Sequence, residues 1–216
     1  MAKSLSLVIP MYNEADNVAP MLARVHEALA AYDGPWELIV VDDGSQDATS
    51  ARLKAGVVQY GSHVRALHLA RNQGQTAAMQ AGIDAARGEL IATLDGDLQN
   101  DPADIPRMVQ ELETRELDLL CGRRANRQDD FLMRKLPSRI ANLLIARVTG
   151  VQISDYGCSL KLYRAETIKK VRLYGEMHRL IPVWTAMVTA PTRIGETDVT
   201  HHARSAGKSK YGLGRA

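Results

Sequence analysis

The chain has 216 residues, of which 45% are hydrophobic and 24% charged, a composition that can bury a full core, excludes intrinsic disorder and fits a single domain. Its formal net charge of +2 conceals two halves of opposite sign: residues 1–118 hold 9 Lys and Arg against 18 Asp and Glu, and residues 119–216 hold 18 against 7. An acidic half suits cation binding, and a basic half suits phosphate groups or an anionic membrane surface; a solvated charge bias is the plainer alternative, and no nucleic-acid partner is expected. Cys121 and Cys158 stand far apart with no C-x-x-C spacing, which speaks against zinc and for a reducing, cytosolic setting. The first ten residues carry no small-residue cleavage site, and the longest uncharged stretch, 180–192, is 13 residues with two prolines. A bilayer core of about 30 Å needs more, so neither secretion nor a membrane-spanning helix is expected here.

Apolar runs of strand length alternate with helical patterns along the first half. Strands are predicted over 5–9, 36–41, 64–69, 90–94 and 117–121, with helices over 16–32, 47–60, 73–87 and 104–114 between them. This βα punctuation predicts a mostly parallel sheet covered by helices on both faces, with right-handed crossovers. Later come a basic helical pattern over 131–148, a strand over 158–163, a helix over 178–188 and a strand over 192–200. The polar, basic tail from 201 has no core pattern of its own. The expected division is a catalytic domain over 1–203 and a basic tail over 204–216.

In such sheets ligands bind beyond the carboxyl ends of the strands, and the chemistry-bearing residues fall there. Val8-Ile9-Pro10-Met11-Tyr12-Asn13-Glu14 runs from the first strand into a loop, with Pro10 expected to stop the strand and Asp16 to cap the next helix. That loop backs a nucleotide base or is simply a loop and cap. The second strand exits into Asp42-Asp43-Gly44-Ser45, two adjacent acids that need solvation, a cation or hydrogen-bond donors. Arg71-Asn72-Gln73-Gly74-Gln75 leads into a helix whose N-terminal amides favour anions, which makes Arg71 and Gln75 donor-site candidates, with Asn72 as a helix cap the alternative. Asp95-Gly96-Asp97-Leu98-Gln99 ends the fourth strand and offers hard oxygens to Mg²⁺ or Mn²⁺, with Gln99 as a further oxygen ligand. Gly96 lets the backbone approach a ligand, although Asp-Gly-Asp is also a common turn.

Gly122-Arg123-Arg124 is expected after the fifth strand. Seven basic residues against two acids between Arg123 and Arg147, interleaved with Phe131, Leu132 and Met133, match a membrane-surface helix or an ordinary amphipathic one. Asp155 precedes the late strand before Tyr156-Gly157. Gly207-Lys208-Ser209 fails as a P-loop because the earlier glycine position is His202, and no G-x-G-x-x-G follows the first strand.

Taken in this order, the Pro10, Asp42-Asp43, Asn72-Gln73-Gly74, Asp95-Gly96-Asp97, Asp155-Tyr156-Gly157 and Gly207-Lys208-Ser209-Lys210 blocks resemble the family 2, GT-A fold glycosyltransferases over nearly the whole chain. Within that family the pattern is similar to the polyprenyl-phosphate group. The resemblance implies a Rossmann-like α/β fold and a nucleotide-sugar donor whose base or ribose meets Asp42 and the loop of Pro10, Tyr12, Asn13 and Glu14, beside Asp43. It implies a metal and diphosphate held by Asp95, Asp97 and Gln99, with Asp97 and Asp155 as catalytic candidates. Arg124, Arg134 and Ser138 would clasp the acceptor's phosphate, and Arg204, Lys208 and Lys210 would fold over the site. The implied setting is the cytosolic membrane face; many members of the group continue into transmembrane helices.

The acceptor phosphate is largely dianionic at neutral pH, so a strong general base is unnecessary and Asp155 can orient acceptor or sugar instead. The enzyme must align an in-line, inverting displacement and neutralise the departing diphosphate. A UDP-sugar is the preferred donor and GDP-mannose the next. A soluble or polysaccharide acceptor, and a non-catalytic nucleotide-sugar-binding membrane module, stay open as alternatives. Sugar identity, lipid length and oligomeric state are not legible, and a homo-oligomer is compatible with the chain.

Overall fold

The computed structural model describes residues 2–124, 147 and 149–203. Arg134, Ser138, Arg204, Lys208 and Lys210, the tail from 204, and all but residue 147 of the basic pattern at 131–148 lie outside the described residues. Among the described residues one sheet is formed by β1 (Leu5–Met11), β2 (Trp36–Asp42), β3 (Val64–His68), β4 (Leu90–Thr93), β5 (Leu119–Arg124), β6 (Lys161–Arg164) and β7 (Ile194–Val199), in the order β3-β2-β1-β4-β6-β5-β7. Every neighbouring pair is parallel except those of β6, which runs antiparallel to β4 and β5.

Side-chain alternation along the strands explains the layering. Leu5, Leu7, Ile9 and Met11 of β1 face Val18, Met21, Leu22 and Val25 of α1 (Ala15–Leu29) and Met108 and Leu112 of α4 (Ile105–Thr114). Val8 of β1 with Ile39 and Val41 of β2 face the other way, onto Ala78, Met79 and Ile83 of α3 (Gln75–Ala85). Full burial of one such aliphatic side chain stabilises by roughly 1.5–3 kcal/mol. The same second layer takes in Ile168 of the short helix α5 (Ala165–Ile168) and Ile181 of α6 (Ile181–Thr185), while α2 (Thr49–Tyr60) joins the first through Leu53.

Several expected boundaries shift for identifiable reasons. Pro10 does not stop β1; the strand runs to Met11, with Pro10 opposite Val41 of β2. The pairing of β1 with β4 ends at Val8 and Thr93, so beyond Val8 no β4 ladder bond is lost by a residue without an N–H. Asp16 is not the cap of α1; Glu14 occupies that position, and Asp16 sits in the first turn, where negative charge complements the helix dipole. Arg123 and Arg124 lie inside β5 rather than after it, paired with Asp198 and Val199 of β7. The helix expected over 178–188 is a 3₁₀ turn, Met177–Leu180, followed by the five residues of α6.

Candidate active site

Beyond the carboxyl ends of β1, β2 and β4 lies a crevice of about 470 Å³. Pro10, Tyr12, Glu14, Asp43, Gln75, Asp95, Gly96 and Asp97, all expected at a donor site, line it together. The topology is the cause: β1 is the central strand between β2 and β4, so loops distant in sequence emerge side by side. Two left-handed, non-glycine residues flank the crevice, Asn13 at φ 50° and Leu98 at φ 63°, a backbone state that costs about 1 kcal/mol or more and persists where surrounding contacts enforce it. For Asn13 those contacts are visible: its amide donates to Ser45 Oγ at 2.9 Å and its Oδ1 accepts from the Gln46 amide at 2.8 Å.

The Asp95 carboxylate accepts from Gln75 Nε2 at 2.5 Å, while its amide donates to Ser159 Oγ at 3.1 Å. Asp97 Oδ1 accepts from the Gln99 amide at 3.1 Å. Burial, reinforced by the negative charge of Asp97, pushes the Asp95 carboxyl up to about 6, against smaller opposing effects of Lys161, Ser159 and Arg124. A Cβ on Gly96 would stand 2.7 Å from Met11 Cγ and 3.3 Å from the Pro10 carbonyl oxygen, so only glycine lets this loop lie on the end of β1. Two carboxylates whose mutual repulsion a divalent cation would relieve, beside a space open to phosphate oxygens, fit Mg²⁺ or Mn²⁺, which commonly take one or two carboxylates plus substrate oxygens. Gln99 is not among the crevice-lining residues; its backbone amide serves Asp97 and its carbonyl oxygen accepts from the His202 amide at 2.8 Å.

The two adjacent acids of β2 divide their work. Asp43 accepts from the Gln73 amide at 2.7 Å, the Gly74 amide at 2.9 Å and Asn72 Nδ2 at 3.0 Å. It thereby clamps the turn that enters α3, in which Gly74 holds φ 94°; Asn72 is a partner of Asp43 and not the cap of that helix. Asp42 is turned to a neighbouring cavity of about 340 Å³, where it accepts from the Ser45 amide at 3.0 Å and meets His68 Nδ1 at 3.1 Å. Arg71 lines this second cavity with it, and Asn72 borders both.

Arg124 and Asp155, expected at the acceptor phosphate and in catalysis, form a fork: Nε to Oδ2 at 2.7 Å and Nη2 to Oδ1 at 2.8 Å, with side chains only 15% and 14% exposed. The charged partner therefore outweighs burial, and the guanidinium pKa is raised. Lys161 of β6, 3% exposed, supports the same turn by donating from Nζ to the carbonyl oxygens of Tyr156 at 3.4 Å and of Cys158. Neither line of contact puts Arg124 or Asp155 on the wall of the main crevice.

Sequence reasoning missed Glu176, His178 and Arg179, which line the crevice from the segment before α6, and Thr76, whose Oγ1 lies 2.6 Å from His178 Nδ1. The available signal was a charged Glu-Met-His-Arg run just after Gly175, ahead of an apolar stretch too short and proline-broken for a long helix. Lys161 was hidden because a lysine inside an apolar strand pattern reads as a surface position.

Residues 6–172 match Glycosyl transferase family 2. The chain is 61% identical over 211 residues to a dodecaprenyl-phosphate galacturonate synthase of Rhizobium johnstonii, covering 98% of this chain and 62% of that protein. It is 42% identical to an undecaprenyl-phosphate 4-deoxy-4-formamido-L-arabinose transferase of Serratia proteamaculans, covering 98% and 64%. The chain thus spans less than two thirds of the length of these curated relatives. Among solved structures, it resembles a glucosyl-3-phosphoglycerate synthase of Mycobacterium tuberculosis with Mn²⁺, UDP and phosphoglyceric acid, at TM-score 0.68 and 19% identity over 94% of this chain and 72% of that one. A mannosyltransferase of Pyrobaculum calidifontis with GDP-Man and Mn²⁺ gives TM-score 0.64 and 16% identity over 92% and 56%; at such identity the likeness speaks for the fold alone, the GT-A fold. Its sheet order, its acidic loop beyond β4 and the match over most of its length together place the chain in glycosyl transferase family 2.

Proposed function

We propose that this chain is the catalytic unit of an inverting, metal-dependent glycosyltransferase that moves a sugar from a nucleoside diphosphate, UDP by preference, to a polyprenyl phosphate at the cytosolic membrane face. The observation that carries the reading is the crevice in which Asp95 and Asp97 meet the Tyr12 loop and Asp43. The relatives at 61% and 42% identity, named for polyprenyl-phosphate acceptors, support the acceptor class. The galacturonate of the first is the favoured sugar. An arabinose derivative is the second reading, on the strength of the Serratia relative.

The residues divide the work by position. Tyr12, Glu14 and Asp43 would hold the nucleoside, with Asn72 and Gly74 beside it. Asp95 and Asp97 would hold Mg²⁺ or Mn²⁺, whose contribution is to neutralise charge on the departing diphosphate. Gln75 fixes the Asp95 carboxylate through its amide nitrogen. A phosphate monoester attacks without needing a base, so the Arg124–Asp155 fork acts by orienting: Asp155 holds the guanidinium in one plane, suited to a phosphate that bonds its outer edge. Arg134, Ser138, Arg204, Lys208 and Lys210 belong to the same proposal from the sequence alone.

The test is a thermal-shift titration with UDP, GDP, CDP and dTDP, each with Mn²⁺ and with chelator, since a ligand bound to the native state raises its stability. The expected result is a Mn²⁺-dependent shift with UDP exceeding the others, followed by transfer from UDP-galacturonate to dodecaprenyl phosphate. Equal or absent shifts for all four nucleotides would remove the transferase reading. Unchanged transfer in Arg134→Ala would redirect it to a soluble or polysaccharide acceptor.

A further inference from the structure

The main crevice is poor in positive charge for a site that must take phosphates. Its lining holds the carboxylates of Glu14, Asp43, Asp95, Asp97 and Glu176, and among the described residues its basic side chains are His178 and Arg179. Burial lowers the pKa of His178, and the nearby Arg179 and Lys161 cations add to that against the opposing charge of Glu176. Arg124 already forks with Asp155. Among the described residues, the permanent positive charge on the wall of this crevice is the Arg179 guanidinium.

The segment that carries Arg179 is tied to the fold. The segment 172–180 is strapped to α3 at three points: the Arg172 ion pair with Asp84 at 3.0 Å, the Leu173 amide to Gln80 Oε1 at 2.7 Å, and His178 Nδ1 with Thr76 Oγ1 at 2.6 Å. Thr76 is buried in the first turn of the same helix whose Gln75 bonds Asp95. The strap and the acidic loop are therefore referenced to one rigid element. The pair of Arg179 with Glu176, Nε to Oε2 at 3.3 Å between side chains 47% and 73% exposed, belongs to the class of surface pairs that contribute little.

We propose that Arg179 binds phosphate oxygens of a substrate in this crevice, and that His178, pinned by Thr76, is the positioning residue that sets it there. The inference rests on the transferase reading. In that reaction the bond from the anomeric carbon to the donor's phosphate oxygen breaks with its electron pair leaving on the nucleoside diphosphate. A bond from that carbon to an acceptor phosphate oxygen forms, and no proton need move. Both the departing diphosphate and the attacking monoester carry the oxygens that a guanidinium fork recognises.

The experiment separates the two sources. Calorimetric titration of the full chain with UDP in the presence of Mn²⁺ reads the diphosphate, and the KM for a short-chain polyprenyl phosphate at saturating donor reads the monoester. Arg179→Gln is expected to weaken one of the two by about tenfold or more, with Arg179→Lys intermediate because it keeps charge without the fork. Thr76→Val is expected to move the same parameter in the same direction, and Thr76→Ser, which keeps the hydroxyl, to restore it. Arg179→Gln with both parameters unchanged would overturn the phosphate role, and equal behaviour of Thr76→Val and Thr76→Ser would overturn the positioning role. A wild-type chain that binds no nucleoside diphosphate would instead sink the transferase reading, so the two failures are distinguishable.

Discussion

At the scale of single residues, the site shows how environment separates identical side chains. Asp42 and Asp43 are neighbours, yet Asp42, the last residue of β2, meets His68 and Asp43, just past the strand, holds the turn of α3. Asp95 and Asp97 stand two apart and share a space, and burial together with the charge of Asp97 raises the cost of ionising Asp95. A free Asp ionises near 3.9, whereas Asp95 does so at about 6. The fold thus holds the proton more tightly than the unfolded chain. That contribution is fully present below about pH 4 and lost as pH rises through 6, leaving a standing cost at neutral pH that a bound cation would remove. Asp95→Asn keeps the oxygen that accepts from Gln75 and drops the charge. In chelator at pH 7.5 it is expected to melt no lower than the wild type. With Mn²⁺ and UDP near a hundred times Kd, the wild type should gain roughly 5–10 °C and the variant almost nothing. An undiminished gain in the variant, read by differential scanning fluorimetry, would strike Asp95 from the metal site.

At the scale of elements, β1, β2 and β4 were readable because interior parallel strands are buried on both faces and read as short continuous apolar runs between helical patterns. Glu37 of β2 shows what periodicity does not reveal. From the N-terminal end of β2, between β1 and β3, it accepts from Ser6 Oγ of β1 at 2.8 Å, from Arg65 Nη1 of β3 at 2.7 Å and from the Arg87 amide after α3 at 2.7 Å. One carboxylate therefore joins three strands and a crossover. Burial alone would raise its pKa, but the bonds from Arg65, Ser6 and Arg87 outweigh burial and lower it. A lowered folded value means stability present above the ordinary Glu pKa near 4.3 and lost as pH falls through the lower folded one. Glu37→Gln is expected to cost about 1–3 kcal/mol at pH 7 by urea unfolding. The gap from wild type should narrow below about pH 4; a gap that is constant from pH 7 to pH 3 would mean shape, not charge, is what the variant loses. The later elements were less legible for a related reason: β6 is antiparallel within a parallel frame and carries the buried Lys161, and the strap over 172–180 takes its place from side-chain ties to α3 that no local pattern encodes.

At the scale of the whole molecule, the part of the site carried by strand exits was legible, since the position of Tyr12, Asp43 and Asp95 follows from sheet order. The part carried by the strap was not, because Thr76 and His178 are separated by 102 residues. Charge is organised at this scale too. The acidic half supplies β1 to β4 and four of the five crevice carboxylates, Glu14, Asp43, Asp95 and Asp97, while the basic half, with 18 Lys and Arg against 7 acids, includes the stretch from Arg123 to Arg147 interleaved with Phe131, Leu132 and Met133. No helix among the described residues is long and apolar enough to cross a membrane; the basic stretch offers electrostatic attraction to an anionic surface. Each basic residue near an anionic surface contributes about 1 kcal/mol, decaying within the Debye length. The full chain is therefore expected to co-sediment with vesicles rich in anionic lipid at low salt and to release at high salt. Replacing Arg134, Lys135 and Arg139 together by Gln should weaken that binding by about a hundredfold. Equal binding to neutral vesicles, or binding indifferent to salt, would remove electrostatic docking.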